Sequence, residues 1–205
     1  PTTKASENLI HEGVDPTRIN ITGNTVIDAL MHITNGLNKN HKQRRLIEAR
    51  FKMLNEKRRL ILVTGHRREN FGIGLKRICQ ALRIIAERGD VEIVYPVHLN
   101  PNVHEPVQEF LSVIPHVHLI KPQEYLPFVY LMNRSELIIT DSGGIQEEAP
   151  SLGKPVLVLR EVTERPEAVE AGTIKLVGTK TESIVRETEL LLDDNAIYNS
   201  MSRAH

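Results

Sequence analysis

Six short, predominantly apolar runs recur along the chain: Leu60–Val63, Val91–Val94, Val117–Ile120, Leu137–Thr140, Val156–Leu159 and Ile174–Val177. Between them lie stretches with apolar residues at helical spacing, clearest at Leu75, Ile78, Cys79, Leu82, Ile85 and Ala86, a stripe that Gly89 stops. A strand with one wet face alternates apolar and polar residues, whereas a run that does not alternate is covered on both faces. Such strands, alternating with helices, predict a doubly wound α/β fold: a parallel, Rossmann-like sheet with right-handed crossovers placing helices on both sides. Further helices are expected after Asn102, over Tyr125–Asn133, from Ser142 onward and over Thr181–Leu192, the last of them. Upstream, Ile19 and Ile21 form a short extended run closed by Gly23-Asn24. A helical stripe (Val26, Ile27, Leu30, Met31) and a charged helix from about His41 to Asn55 follow.

A chain of 205 residues that is 40% hydrophobic can bury one full core or two small ones. Its 26 Lys+Arg balance its 26 Asp+Glu, so no global field draws it to nucleic acid or to an anionic membrane. Four Phe, four Tyr and no Trp also make a poor base-stacking platform. One cysteine, Cys79, excludes an internal disulfide framework, suits a reducing compartment and falls on a core stripe. No apolar run approaches the roughly 18 residues of a spanning helix, and the N-terminus carries no secretory apolar region. These features predict a cytoplasmic globular protein.

Ligands of open parallel sheets bind beyond the carboxyl ends of the strands. That rule selects four polar loops: His66–Asn70, His98–Asn102, Pro122–Tyr125 and Asp141–Gly144. In the last, Gly143 and Gly144 lack Cβ atoms where a helix opens, and the first helical N–H groups lack internal partners, so a phosphate can approach closely. Ser142 can cap the helix and also donate its hydroxyl to phosphate. Glu148, four residues after Gly144, leans back toward the helix start, where its carboxylate suits a ribose diol. A plain Gly-Gly turn into a helix with solvated glutamates fits this loop equally well. Pro150 predicts a short or kinked helix. Gly65-His66-Arg67-Arg68 supplies guanidinium donors suited to phosphate or carboxylate and an imidazole suited to proton transfer, or simply a solvated turn. Neither loop is a P-loop or a dinucleotide fingerprint. His98, His104, His116 and His118 lack tight metal-ligand spacing, so no metal is expected. Lys42–Arg45 and Lys57–Arg59 read as solvated charge runs.

Five blocks together are specific: TGHRREN at 64–70, YPVHLNPNV at 95–103, PQEYLPFVYLM at 122–132, TDSGGIQEEAPSLGKPVLVLRE at 140–161 and TERPEAVEAGT at 163–173. In this order they resemble the non-hydrolysing bacterial UDP-N-acetylglucosamine 2-epimerases. The resemblance spans essentially the whole chain. Glycosyltransferases of the same GT-B architecture share a looser Gly-Gly…Glu pattern but do not carry all five blocks.

The resemblance implies a two-lobed isomerase that interconverts UDP-N-acetylglucosamine and UDP-N-acetylmannosamine for surface-polysaccharide synthesis. The reaction eliminates UDP to 2-acetamidoglucal and re-adds it with C2 inverted, with no cofactor and no catalytic metal. Carried onto this sequence, Ser142, Gly143 and Gly144 hold the diphosphate and Glu148 the ribose. Phe128 lines the uracil pocket, and His66 is the cleft histidine that assists the leaving diphosphate. Arg165, with Glu164, falls at the sugar end. Arg67 or Arg68, with His98, matches the region where some members bind a second, regulatory UDP-N-acetylglucosamine. The parent is expected to be a homodimer.

Breaking the C1–O bond puts charge on UDP, which preorganised N–H groups and cations stabilise, while inverting C2 needs acid/base groups on both faces. The family places those carboxylates in its N-terminal lobe. On this reading residues 1–24 are an inter-lobe segment with a short strand, and residues 25–205 are the C-terminal, UDP-binding lobe. The N-terminal lobe and the family's final helix lie outside the sequence, which ends Met201-Ser202-Arg203-Ala204-His205. Such a chain binds UDP without epimerising it. Two other classes remain: a donor-binding lobe of a GT-B glycosyltransferase, and a non-catalytic nucleotide-binding module that is physically similar to such a fragment.

Overall fold

A computed structural model describes residues 1–203. In chain order, helices α1 (Thr3–His11), α2 (Thr25–Lys39) and α3 (His41–Glu48) precede strand β1 (Arg59–Thr64). Then come α4 (Ile73–Glu87), β2 (Val91–Pro96), α5 (Pro101–Leu111), β3 (Val117–Ile120), α6 (Tyr125–Arg134) and β4 (Leu137–Thr140). The rest is α7 (Ile145–Ser151), β5 (Val156–Val158), α8 (Pro166–Glu170), β6 (Ile174–Leu176), α9 (Thr181–Asp193) and α10 (Asn195–Arg203). All pairings are parallel, in the order β3-β2-β1-β4-β5-β6.

The apolar runs are covered on both faces, as their lack of alternation requires. Ile61 and Val63 of β1 pack into one core with α4, α5 and α9, while Leu60 and Leu62 pack into a second with α2, α6 and α7. Strand β4 divides likewise: Leu137 and Ile139 face the first core, Ile138 the second. Cys79 is fully buried in the first core, where desolvation pushes its thiol up to about 12, so it packs as a small apolar residue.

Three expectations need correction. Among the described residues the Ile19–Ile21 segment pairs with no strand; Ile21 is 56% exposed, and an extended run without a hydrogen-bonding neighbour gains nothing from its β propensity. The first residues instead form α1, capped by Thr2, whose side chain accepts from the Ala5 N–H at 3.2 Å. The charged helix ends at Glu48 and passes into a short 3₁₀ turn, Ala49–Phe51, that buries Phe51. The helix over Thr181–Asp193 is not the last, because Asp194 accepts from the Ala196 and Ile197 N–H groups and starts α10. Of the tail Met201–His205, α10 takes in the part up to Arg203, and residues 204 and 205 lie outside the described residues.

Candidate functional site

Strand β1 hands the chain outward to β2 and β3, and β4 hands it the other way to β5 and β6. Adjacent crossovers therefore diverge, and a crevice opens beyond the carboxyl ends of β1 and β4. A cavity of ≈ 180 Å³ occupies that crevice, with Gly65, His66, His98, Phe128, Ser142 and Ile145 in its wall. Another cavity, ≈ 330 Å³, lies among α2, α3 and α6 and touches none of the strand-end loops.

The loop after β4 carries the two glycines singled out in the sequence. Helix α7 begins at Ile145 with Gly144 as its N-cap in helical conformation, and no side chain caps it. The expected Ser142 cap is thus not formed. The Ser142 N–H donates to Thr140 Oγ1 at 3.0 Å, its carbonyl accepts from Gln146 Nε2 at 3.1 Å, and the residue lies in the cavity wall. The helix has seven residues and contains Pro150, the short helix that proline predicted. Among the described residues no acceptor takes the N–H of Gly143 or Gly144. Two guanidinium groups close on this spot: a Cβ on Gly143 would lie 3.8 Å from Arg67 Nη2 and 3.9 Å from Arg165 Nη2. Unpaired amides at a helix start beside two cations have the chemistry that suits an anion.

Each guanidinium is held from behind. Arg67 Nε donates to the Asp141 carbonyl at 3.2 Å. Arg165 pairs with Glu147, which Asn24 also contacts, and the Arg165 N–H donates to Thr163 Oγ1 at 3.1 Å. Thr163 Oγ1 donates in turn to Oε1 of fully buried Gln146 at 2.6 Å, so Gln146 joins the 163–165 loop to Ser142. Arg160, buried, donates two bonds to Glu164 at 2.7 and 2.9 Å and one to Glu69 at 3.0 Å, tying the loops after β1 and β5 together. The Arg160 fork holds the Glu164 carboxyl down at about 2. Glu164 is therefore a brace for this end of the cleft.

Glu148 behaves differently. Its Oε1 comes within 3.5 Å of where a Gly144 Cβ would sit, and Oε2 accepts from the Tyr125 hydroxyl at 2.8 Å. Desolvation raises its pKa, against the Tyr125 hydrogen bond and with a smaller push from Glu147. Tyr125 is pushed up to about 12, by burial first and by this bond second.

Beneath the cavity sits Asp141, fully buried, whose Oδ2 accepts from the His66 N–H at 2.9 Å, the Arg67 N–H at 2.8 Å and Asn70 Nδ2 at 3.1 Å. One carboxylate thus holds the β1 loop against the β4 loop. Gly65 packs so tightly that a Cβ there would meet the hydroxyl of buried Tyr95 at 2.9 Å, and that hydroxyl donates to the Gly65 carbonyl at 3.1 Å. His66 and His98 stack, with ring centroids 5.7 Å apart. Arg68 is exposed in a 3₁₀ turn.

Predicted residues His66, His98, Phe128 and Ser142 therefore meet in one cavity wall, while Arg67 and Arg165 gather at Gly143, Glu148 lies at Gly144, and Arg165 also lines a separate cavity of ≈ 200 Å³ with Asn24 and Glu147. Asp141, Gln146, Arg160, Thr163 and Tyr125 received no role from the sequence. A polar residue directly after a buried strand was the one available signal, at Asp141. Among the described residues no group of three or more His, Cys, Asp or Glu could hold a metal. His116 and His118 instead pair with buried Glu92, at the opposite end of β2.

A family model described as UDP-N-acetylglucosamine 2-epimerase matches residues 1–205. The chain belongs to that family. The Escherichia coli K12 UDP-N-acetylglucosamine 2-epimerase is 57% identical over 206 residues, covering 100% of this chain and 55% of that relative. The crystal structure of the Neisseria meningitidis epimerase bound to UDP-GlcNAc matches with a TM-score of 0.95 at 48% identity, over 100% of this chain and 55% of that one. The S. aureus MnaA–UDP complex gives 0.86 at 40% identity, over 100% and 54%. The chain thus spans about half the length of its epimerase relatives. The C-terminal domain of a Francisella tularensis group 1 glycosyl transferase gives 0.57 at 14% identity, over 71% and 81%, a likeness of fold alone. The fold is that of one Rossmann-like lobe of the GT-B architecture.

Proposed function

We propose that these residues form the UDP-binding lobe of a two-lobed epimerase that interconverts UDP-N-acetylglucosamine and UDP-N-acetylmannosamine, by elimination and re-addition of UDP, for surface-polysaccharide synthesis. The observation that carries this reading is the approach of Arg67 and Arg165 to the unpaired amides at Gly143, with Glu148 one turn further along. In this assignment Gly143, Gly144 and Ser142 hold the diphosphate between the two guanidinium groups, Glu148 accepts from the ribose diol, and Phe128 borders the uracil. His66 faces the leaving diphosphate. Arg67 thereby joins the diphosphate site, and Arg68 with His98 remain for a regulatory ligand at the rim.

Charge that develops on the diphosphate as C1–O breaks meets preorganised donors, which lowers the barrier without reorganisation. Proton transfer at C2 falls to the opposing lobe, because the acids near this site are engaged: Glu147 with Arg165, Glu164 with Arg160, Glu148 with Tyr125, and Asp141 beneath the loops. The parent acts as a homodimer in the cytoplasm, without cofactor, nucleic acid or membrane partner. In the described residues no helix is long and apolar enough to cross a membrane.

Titrating the Gly143 and Gly144 amide resonances with UDP, UMP and UDP-N-acetylglucosamine tests the reading. UDP and the sugar nucleotide should shift both strongly and UMP weakly; UDP that leaves them unmoved and shifts residues elsewhere would remove the proposal.

A further inference from the structure

Asp141 carries one oxygen that the loop does not use. Its Oδ2 takes three donors, yet Oδ1, fully buried, accepts no hydrogen bond among the described residues and lies 3.4 Å from Nδ1 of His66. A buried carboxylate oxygen without a donor is costly, and a proton on the facing ring nitrogen relieves that cost after a small ring rotation. Which imidazole nitrogen bears the proton follows from what the other atoms of the ring meet. With Nδ1 toward Asp141, Nε2 lies on the far edge of the ring, and His66 is in the cavity wall. The stacked neighbour is set the other way, because the Asn100 N–H donates to His98 Nδ1 at 3.1 Å and so places that ring's proton on Nε2.

From this we infer that Asp141 is a positioning residue for His66: it fixes the Nδ1–H tautomer and turns an unprotonated Nε2 toward the diphosphate pocket, beside an Nε2–H donor on His98. The inference deepens the role proposed above for His66 and rests on it. A neutral His66 so held presents a lone pair to the pocket, and when charged presents an N–H in the same direction. The paired tautomers give the site one nitrogen that takes a proton and one that gives a hydrogen bond.

Long-range ¹H–¹⁵N spectra of the full 205-residue chain, at a pH where the imidazoles are neutral, read the tautomers directly. His66 should show a protonated Nδ1 and a bare Nε2, the reverse of free histidine, and His98 a protonated Nε2. In Asp141→Asn the amide oxygen keeps the two loop N–H bonds while its NH₂ faces His66 Nδ1, so the His66 tautomer should invert. A wild-type His66 protonated on Nε2, or an unchanged tautomer in D141N, overturns the inference. If D141N does not fold, the wild-type spectrum decides alone, since only an acceptor at Nδ1 reverses the intrinsic preference. The UDP titration reports separately: shifted glycine amides with an Nε2–H His66 sink this inference and leave the site standing, and unshifted amides with an Nδ1–H His66 remove the diphosphate site and leave only the Asp141–His66 tautomer.

Discussion

Glu148 gives up solvent to lie beside Gly144, and burial raises its pKa. Because its folded-state pKa exceeds the unfolded one, ionised Glu148 costs stability at neutral pH, and the cost fades as pH falls toward protonation. The proposed ribose bond needs the ionised acceptor and so has the opposite dependence, present above the raised pKa and lost below it. Glu148→Gln should therefore weaken UDP about tenfold to a hundredfold, the worth of a charge-assisted bond, without lowering Tm. Calorimetry at pH 8 and pH 5 should find that the gap between wild type and variant narrows in acid. Glu164 titrates on the other side of the ordinary range, held at about 2 by the Arg160 fork, and over half its side chain is in water, so that pair braces a loop more than it stabilises the fold. Gly65 is required by close approach. Gly65→Ala must push against the hydroxyl of buried Tyr95 and should cost about 1–3 kcal/mol in urea unfolding. Removing that hydroxyl in the G65A/Y95F double variant should cost less than the sum of the single changes. Additive losses would show that the clash is not what makes glycine necessary.

At the scale of elements, the Asp141–Gly144 turn and α7 work as one unit. Gly143 has neither the left-handed backbone nor the crowding that forces glycine: it is not among the positive-φ residues, and a Cβ there would meet only ordinary contacts at 3.8 and 3.9 Å. A fold-based requirement would make Gly143→Ala destabilising; a ligand-based one makes it silent until phosphate arrives. We expect G143A to keep its unfolding free energy within about 0.5 kcal/mol while losing UDP binding at least tenfold, because the methyl group occupies the approach to the amides. A variant that unfolds more readily yet binds UDP normally would contradict the assignment. Behind this turn, fully buried Gln146 links Ser142 to Thr163. Gln146→Ala leaves the Thr163 hydroxyl without its acceptor and should cost about 1–3 kcal/mol, with a loosened Arg165 loop visible as faster amide exchange.

The described residues form one six-stranded sheet with a core on each face, and the proposed ligand crevice opens beyond the carboxyl ends of the central strands, where the crossovers leaving β1 and β4 part. A crevice on a single lobe offers the nucleotide one wall, so UDP should bind this chain with micromolar to millimolar affinity, and C2 of the sugar should meet no pair of opposed acids. Incubating the chain with UDP-N-acetylglucosamine in deuterium oxide should give no exchange at C2; measurable exchange would place the acid/base groups on this lobe. Much of this was legible beforehand. Unalternating runs such as Leu60–Val63 specify a parallel sheet covered twice because burial on two faces leaves no polar position, and Gly143-Gly144 after Leu137–Thr140 places unpaired amides where a helix begins. Segments whose fate depends on a neighbour were not legible. Ile19–Ile21 has strand composition but no strand to pair with, and α10 follows an Asp194 cap that local pattern did not reveal. The sequence by itself determined the fold class, the polar loops at the carboxyl ends of the strands and the family, since each follows from local order along the chain. Only the tertiary structure decided that Arg67 joins Arg165 at Gly143, that Glu164 is spent on Arg160, and that Asp141 holds His66. Those pairings join residues roughly 20 to 100 positions apart or divide roles among close neighbours, and hydrogen-bond partners at such separations are chosen by how strands and loops pack.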